Sequence, residues 1–467
     1  MLKDEMIELD FDRAEADLLG QLEAIDTLVA TIGALPPPAC VAVYGAWGSG
    51  KTTVMHNAMR RCRDRLWLPV WFRPWEYDRQ PDLLQPLLRA LLITVRSLGG
   101  RDPERWTTLK KRATRAAKAV AALGLRVGVR ALSNGLLSLP ADGGEGATQM
   151  APADTARLSI EELLERPELP ADEVEDVKRR FKDLVDAALA IAARDGEPPA
   201  DARVVFFLDD LDRCLPDQVV ELIEGVKLLL CGETDCKAMF VFALDRQIVG
   251  EAIRQRFPGS TQYTGENYLE KIFDFSLEAP PVPLGGDDTV ATGGTASLVR
   301  FVEQVAAGLN RDLESICKPL GGRSLLIEAL SQPAFANPRV IKRTLNRLHL
   351  LTLTDARRQR LEAVDDRGRY RQYLLWVAGA ERFRQFRHFM RVGTEHELRA
   401  LLSMAQEESP IIGSVEIAQM RAAPAFRNYV RALKLVESGL DRWHTYDAKA
   451  HQYELRWFDD LMRAAGV

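Results

Sequence analysis

The stretch Gly45-Ala46-Trp47-Gly48-Ser49-Gly50-Lys51-Thr52 decides the reading of this chain, because it satisfies the glycine-rich phosphate-binding pattern in full. Its flanks agree with that pattern. Val41-Ala42-Val43-Tyr44 is a short apolar run suited to a buried strand, and Thr52 to Arg61 reads as a helix. Strand, tight loop and helix is the order in which backbone N–H groups and a helix N-terminus converge on an anion. Gly45, Ala46, Trp47, Gly48, Ser49, Gly50, Lys51, Thr52 and Thr53 are therefore the expected nucleotide-binding residues. Lys51 is placed to neutralise phosphate charge and Thr52 to ligate Mg²⁺. The alternative is a glycine turn that binds nothing.

Working outward, the pattern predicts a mainly parallel sheet covered by helices. Leu68 to Phe72 is a second apolar run, Asp82 to Leu98 has leucines at helical spacing, and Val204 to Leu208 is a third strand. Pro216 to Leu230 reads as an amphipathic helix and Ala238 to Leu244 as a fourth strand. Upstream, Leu18 to Ile32 forms a helical stripe that stops at Pro36-Pro37-Pro38. Between the second and third strands the sheet pattern lapses for roughly a hundred residues, far longer than an ordinary α/β connection. Beyond Pro280-Pro281-Val282-Pro283 the signals are helical, at Ala296 to Leu309, Pro338 to Thr354 and Tyr370 to Val392. The expected organisation is 1–98 for the N-terminal helix and first half of the core, and 99–202 for a helical, basic insertion. The second half of the core follows at 203–283, a helical lid or sensor region at 284–360, and a C-terminal helical region at 361–467.

The third strand ends in Asp209 and Asp210. Asp209 is the expected second metal ligand through the Mg²⁺ water shell, and Asp210 the group that polarises the attacking water. Capping of the next turn is the alternative for Asp210. Asp245, ending the fourth strand, is a candidate γ-phosphate sensor; capping of the helix over Gln247 to Gln255 competes with that role. Arg213, and Arg339 within Asn337-Pro338-Arg339, are the arginines placed to meet transition-state charge. Guanine specificity lacks its Asn-Lys-x-Asp signature, since Leu244-Asp245-Arg246-Gln247 stands in that region, so ATP with Mg²⁺ is the expected ligand pair.

The remaining composition narrows the classes. With 467 residues, 46% of them hydrophobic, and a net charge of −5, the chain can bury a large core and has no global attraction for nucleic acid. Its six cysteines form no paired framework and Met1 to Asp12 is acidic, so a cytoplasmic setting is expected. Cys231 and Cys236 lack a second ligand pair for zinc. The six histidines show neither metal spacing nor a nucleophile partner.

Several segments together resemble the KAP family of P-loop NTPases. The tryptophan-bearing loop at Gly45 to Lys51 is one, and Phe72-Arg73-Pro74-Trp75-Glu76-Tyr77 and Leu208-Asp209-Asp210-Leu211-Asp212-Arg213-Cys214 are two more. Tyr268-Leu269-Glu270-Lys271-Ile272 and Asn337-Pro338-Arg339 with Arg343 and Asn346 complete the likeness, which spans Asp10 to Leu350. The resemblance implies an additional-strand P-loop ATPase core and, by analogy with bacterial phage-exclusion members, a defence setting. Many members carry membrane-spanning inserts. Here Ala116 to Leu139 is broken by Lys118, Arg126 and Arg130, so no membrane span is expected.

The basic segment 101–130 admits three readings: a solvated helix face, a nucleic-acid or partner contact, and a membrane-surface helix. For the whole chain, an ATPase driving a partner complex competes with an ATP-gated assembly module of slow turnover; a small-molecule kinase fits less well. Protein partners, including further copies of this chain, are the expected associations.

Overall fold

The computed structural model describes residues 19–77, 82–98, 103–133, 171–193, 197–227, 235–256, 265–280, 293–307, 323–331 and 337–351, with positions 11, 17, 80, 314 and 316. The chain divides into two compact units, Leu22–Ala279 and Met1–Gln21 together with Pro280–Val467. In chain order the first contains α1 (Gln21–Ala34), β1 (Ala39–Tyr44), α2 (Lys51–Asp64), β2 (Leu68–Phe72), α3 (Leu84–Ser97), α4 (Pro103–Ser133) and α5 (Ala171–Ala192). It continues with β3 (Val204–Leu208), α6 (Pro216–Gly225), β4 (Ala238–Leu244), α7 (Arg246–Arg256), α8 (Gly265–Ile272) and β5 (Phe275–Glu278). The second holds α9 (Gly293–Ala307), α10 (Arg323–Leu330) and α11 (Pro338–Leu351). The helix expected at Tyr370 to Val392 and the Cys231 position lie outside the described residues.

The described strands form one parallel sheet in the order β2-β3-β4-β1-β5. β4 separates the glycine-loop strand from the acidic strand, which is the additional-strand arrangement. The register is tight: Tyr44 pairs with Leu244, Phe242 with Leu208, and Leu208 with Phe72. The C-terminal ends of these strands therefore fall on one edge of the sheet, where α/β folds place their ligands. Every residue of β1, β3 and β4 is buried, because helices cover both faces, and that is why these strands read as continuous apolar runs. β5 gave no such signal. It is four residues long, mostly exposed and at the edge, so no apolar run marks it.

The insertion helices belong to this core. α4 buries Leu109, Ala113, Ala116 and Val120, one stripe at helical spacing, and α5 buries Val177, Phe181, Leu184, Val185 and Ala188. The Phe181 ring lies 6.2 Å from both Phe206 and Phe240, whose own rings stack at 4.9 Å, so α5 seals one sheet face. On the opposite face, His56 of α2 meets Trp71 edge-on and Trp71 stacks on Phe207. Arg105, Lys110, Lys111, Arg115 and Lys118 stay exposed on α4. Through Val120 the apolar stripe of α4 is thus committed to the core. Among the described residues no helix is long and apolar enough to cross a membrane.

Candidate functional site

The loop after β1 is shaped by its glycines. Gly48 and Gly50 adopt φ of 86° and 102°, a left-handed region that L side chains avoid, and Gly50 is the N-cap of α2. A Cβ at Gly45 would stand 2.4 Å from Ser49 Oγ and 3.3 Å from Lys51 Cγ, so the cradle closes only around a bare α-carbon. Gly45 N donates to Leu244 O (3.1 Å) and Ser49 N to Ala46 O (3.0 Å), tying the loop to β4 and to itself. The Ser49 hydroxyl is buried inside the turn with no hydrogen-bond partner among the described residues. Trp47 is 55% exposed at the loop's crest.

Lys51 is buried and folds back over the loop, its Nζ donating to Gly45 O (2.8 Å) and Ala46 O (3.3 Å). Three carboxylates follow β3 within four residues, and each meets a different partner. Asp209 Oδ2 accepts from Thr52 Oγ1 at 2.9 Å, joining the first turn of α2 to the end of β3. Burial pushes the Asp209 carboxyl up to about 6, and the neighbouring Asp210 charge adds to this, while the Thr52 hydroxyl acts the other way. Asp210 sits at φ 60°, ψ 26° and makes no side-chain cap; its Oδ1 is 2.9 Å from Arg213 Nε. That geometry replaces the turn-capping alternative with an ion pair. Asp212 Oδ2 lies 3.7 Å from Lys51 Nζ. Burial raises the Asp212 carboxyl, Lys51 lowers it, Asp210 and Asp245 raise it, and Arg213 lowers it.

The other candidates fall as follows. Arg213 lies over the Trp75 ring at 5.4 Å, so the aromatic segment after β2 supports the acidic segment after β3. Asp245 Oδ1 accepts from Gln247 N (3.1 Å) and Ile248 N (3.5 Å), the cap that competed with its sensor role. Its neighbour Arg246 covers the Tyr44 ring at 4.3 Å and pairs with Glu278 at 3.5 Å. Arg339 opens α11 in the second unit, where Asn337 Oδ1 accepts from Arg339 N (3.0 Å) and Val340 N (3.3 Å) behind Pro338. Asp212 was not singled out from the sequence. The sequence shows three acids after the third strand but not which of them meets Lys51.

The arrangement offers a backbone anion cradle, a buried ammonium, and a hydroxyl–carboxylate pair suited to a hard divalent cation. Among the described residues no cluster of three or more His, Cys, Asp or Glu side chains forms a metal cage; the Thr52–Asp209 pair suits a cation that keeps most of its waters and takes its remaining ligands from phosphate.

Comparison with known proteins gives one family match. A sequence profile described as the KAP family P-loop domain matches residues 23–354. No curated protein matches the chain. Among solved structures it is similar to the ORC2 protein of Aeropyrum pernix in its ADP form, at 11% identity and TM-score 0.35 over 93% of this chain and 88% of that one. The same protein in ADPNP-ADP complexes gives 11% identity and TM-score 0.35 over 94% and 97%.

Proposed function

Because the chain belongs to the KAP family of P-loop NTPases, whose domain spans residues 23–354, we propose that it binds Mg-ATP at the Gly45–Thr53 cradle and hydrolyses it. The observation that carries this reading is the 2.9 Å hydrogen bond from Thr52 Oγ1 to Asp209 Oδ2, which links the phosphate loop to the acidic strand. The loop amides and Lys51 hold the β- and γ-phosphates. Bound to Thr52 and Asp209, Mg²⁺ would neutralise charge on the phosphate oxygens. Asp210 accepts a proton from water as its oxygen attacks the γ-phosphorus, and the bond to the β-phosphate oxygen breaks to release ADP. Asp245 reads the state of the γ-phosphate and Arg213 acts through Asp210; Arg339, in the other unit, is a candidate sensor. ATP is preferred over GTP.

The cellular role that fits is a cytoplasmic, energy-transducing or regulatory subunit working on protein partners or on further copies of itself. A place in bacterial anti-phage defence follows by analogy with phage-exclusion members of the family. One observation favours a second reading, an ATP-gated assembly module of slow turnover: both Lys51 and Asp210 are engaged in internal ion pairs.

Steady-state phosphate release from Mg-ATP, measured beside nucleotide binding for wild type, Lys51→Ala and Asp210→Asn, separates the two. Hydrolysis requires binding retained and turnover lost in Asp210→Asn. Tight binding by wild type without phosphate release, with or without DNA or RNA, would reject hydrolysis in favour of the gated module.

A further inference from the structure

Lys51 carries three protons on Nζ and no acceptor. Two are directed to the loop's own carbonyls, Gly45 O at 2.8 Å and Ala46 O at 3.3 Å, which leaves one for an anion. The anion in place is Asp212, whose Oδ2 lies 3.7 Å away, with side-chain exposures of 8% for the lysine and 6% for the acid. The other two carboxylates of the segment are held elsewhere, Asp209 by Thr52 and Asp210 by Arg213. The charged groups acting on Asp212 are Lys51 on α2, Asp210 and Arg213 on its own turn, and Asp245 at the end of β4. Of the two cations in this set, Lys51 acts the more strongly.

We propose that Asp212 is an internal competitor for Lys51: its carboxylate holds the ammonium until a polyphosphate displaces it, and so sets the nucleotide affinity of the cradle. The inference rests on the phosphate-site reading above and adds to it a residue outside the glycine loop. Two effects act in the same direction. A phosphate oxygen must draw the ammonium away from Asp212 and accept the hydrogen bond that the loop carbonyls leave over, and the incoming polyanion is repelled by a carboxylate that little solvent screens. Asp212 also keeps the buried ammonium compensated, so an acid at this position supports the nucleotide-free fold while opposing the ligand. Asp212 is a positioning residue in this account and takes no part in the proton transfer.

The experiment measures ATP and ADP dissociation constants by titration calorimetry on the full chain in EDTA, which removes the metal contribution of Asp209. The proteins are wild type, Asp212→Asn, Asp212→Ser and Asp212→Glu, and the melting temperature of each is recorded with and without ATP. Removing the charge should tighten both nucleotides by about tenfold or more, while Asp212→Glu stays near wild type. The neutral variants should melt lower without ATP and show a larger ATP-induced rise. A merely structural lesion weakens binding, so tightening cannot arise from damage to the fold. Equal or weaker binding by both neutral variants, with wild type binding measurably, overturns the proposal. A parallel titration with Mg²⁺ covers a wild type that binds only with the metal, and the variants are then compared there; absence of wild-type binding both in EDTA and with Mg²⁺ overturns the phosphate-site reading itself, a result distinguishable from the first.

Discussion

Arg213 holds the Asp210 carboxylate with Nε 2.9 Å from Oδ1 while its guanidinium lies 5.4 Å over the Trp75 ring. An arginine engaged on two sides is fixed in direction, and the carboxylate it meets is fixed with it. Asp210 is therefore oriented from a strained backbone position, φ 60°, by a residue three positions on that is itself supported by the β2 exit. An arginine so placed can orient Asp210.

Arg213→Ala should lower kcat by about tenfold with KM nearly unchanged, whereas Asp210→Asn should lower kcat by about a hundredfold or more. Partly exposed ion pairs contribute little to stability, so neither loss should accompany a melting shift worth more than about 1 kcal/mol. Phosphate-release kinetics on both variants check this. A rise in kcat for Arg213→Ala would mean that the pair restrains Asp210, which is the behaviour of the gated module.

Asp209 gives a pH dependence with a definite sign. Burial pushes its carboxyl up to about 6 in the folded chain from an ordinary 3.8, so between those values the folded state holds a proton that the unfolded state has lost. Stability therefore falls as pH rises through this window, by about 3 kcal/mol in total, and the deficit is constant above it. In EDTA, Asp209→Asn should melt higher than wild type at pH 7.5, with the advantage shrinking toward pH 4. Thermal melts across that range test the sign directly, and an advantage that grew on acidification would contradict it.

The insertion supplies another test. Phe181→Ala removes a ring packed against Phe206 and Phe240 and should destabilise the unit by about 3–5 kcal/mol, as for any large aromatic core truncation. Reversing Lys110, Lys111, Arg115 and Lys118 together changes an exposed face and should leave the denaturation midpoint nearly unchanged. If that face contacts nucleic acid, the same reversal abolishes salt-dependent retention on DNA. Unaltered retention would leave the face as merely solvated.

What the sequence disclosed follows from burial. β1, β3 and β4 are covered on both faces and announce themselves as apolar runs, and the glycine loop announces itself through left-handed positions that only glycine fills comfortably. β5 was illegible because an exposed edge strand needs no apolar pattern. In the basic segment the charges lie on the exposed face, and the structural information sits in Leu109, Ala113, Ala116 and Val120 on the buried one. Asp212 escaped notice for a different reason. A pattern that prizes the first two acids after a strand says nothing about which acid the folded lysine will meet, and only the turn geometry brings Asp212 to Lys51.

The crossing of α7 and α8 provides a final prediction, because two glycines there look equivalent in sequence and are not. A Cβ at Gly265 would stand 2.4 Å from Gly250 Cα and 2.5 Å from Gly250 O, backbone atoms that cannot rotate away. A Cβ at Gly250 would meet nothing nearer than Gly265 Cα at 3.8 Å, an ordinary contact. Gly265→Ala must push α8 away from α7, disturbing Tyr268, whose hydroxyl donates to Glu224, and Leu269 and Ile272 in the core. A destabilisation of about 1–3 kcal/mol is expected from such overpacking. Gly250→Ala lies inside a helix, where alanine gains up to about 1 kcal/mol over glycine, so it should be neutral or stabilising. Chemical denaturation of the two variants gives the comparison. If they behaved alike, the close approach of the two helices at Gly265 would be refuted.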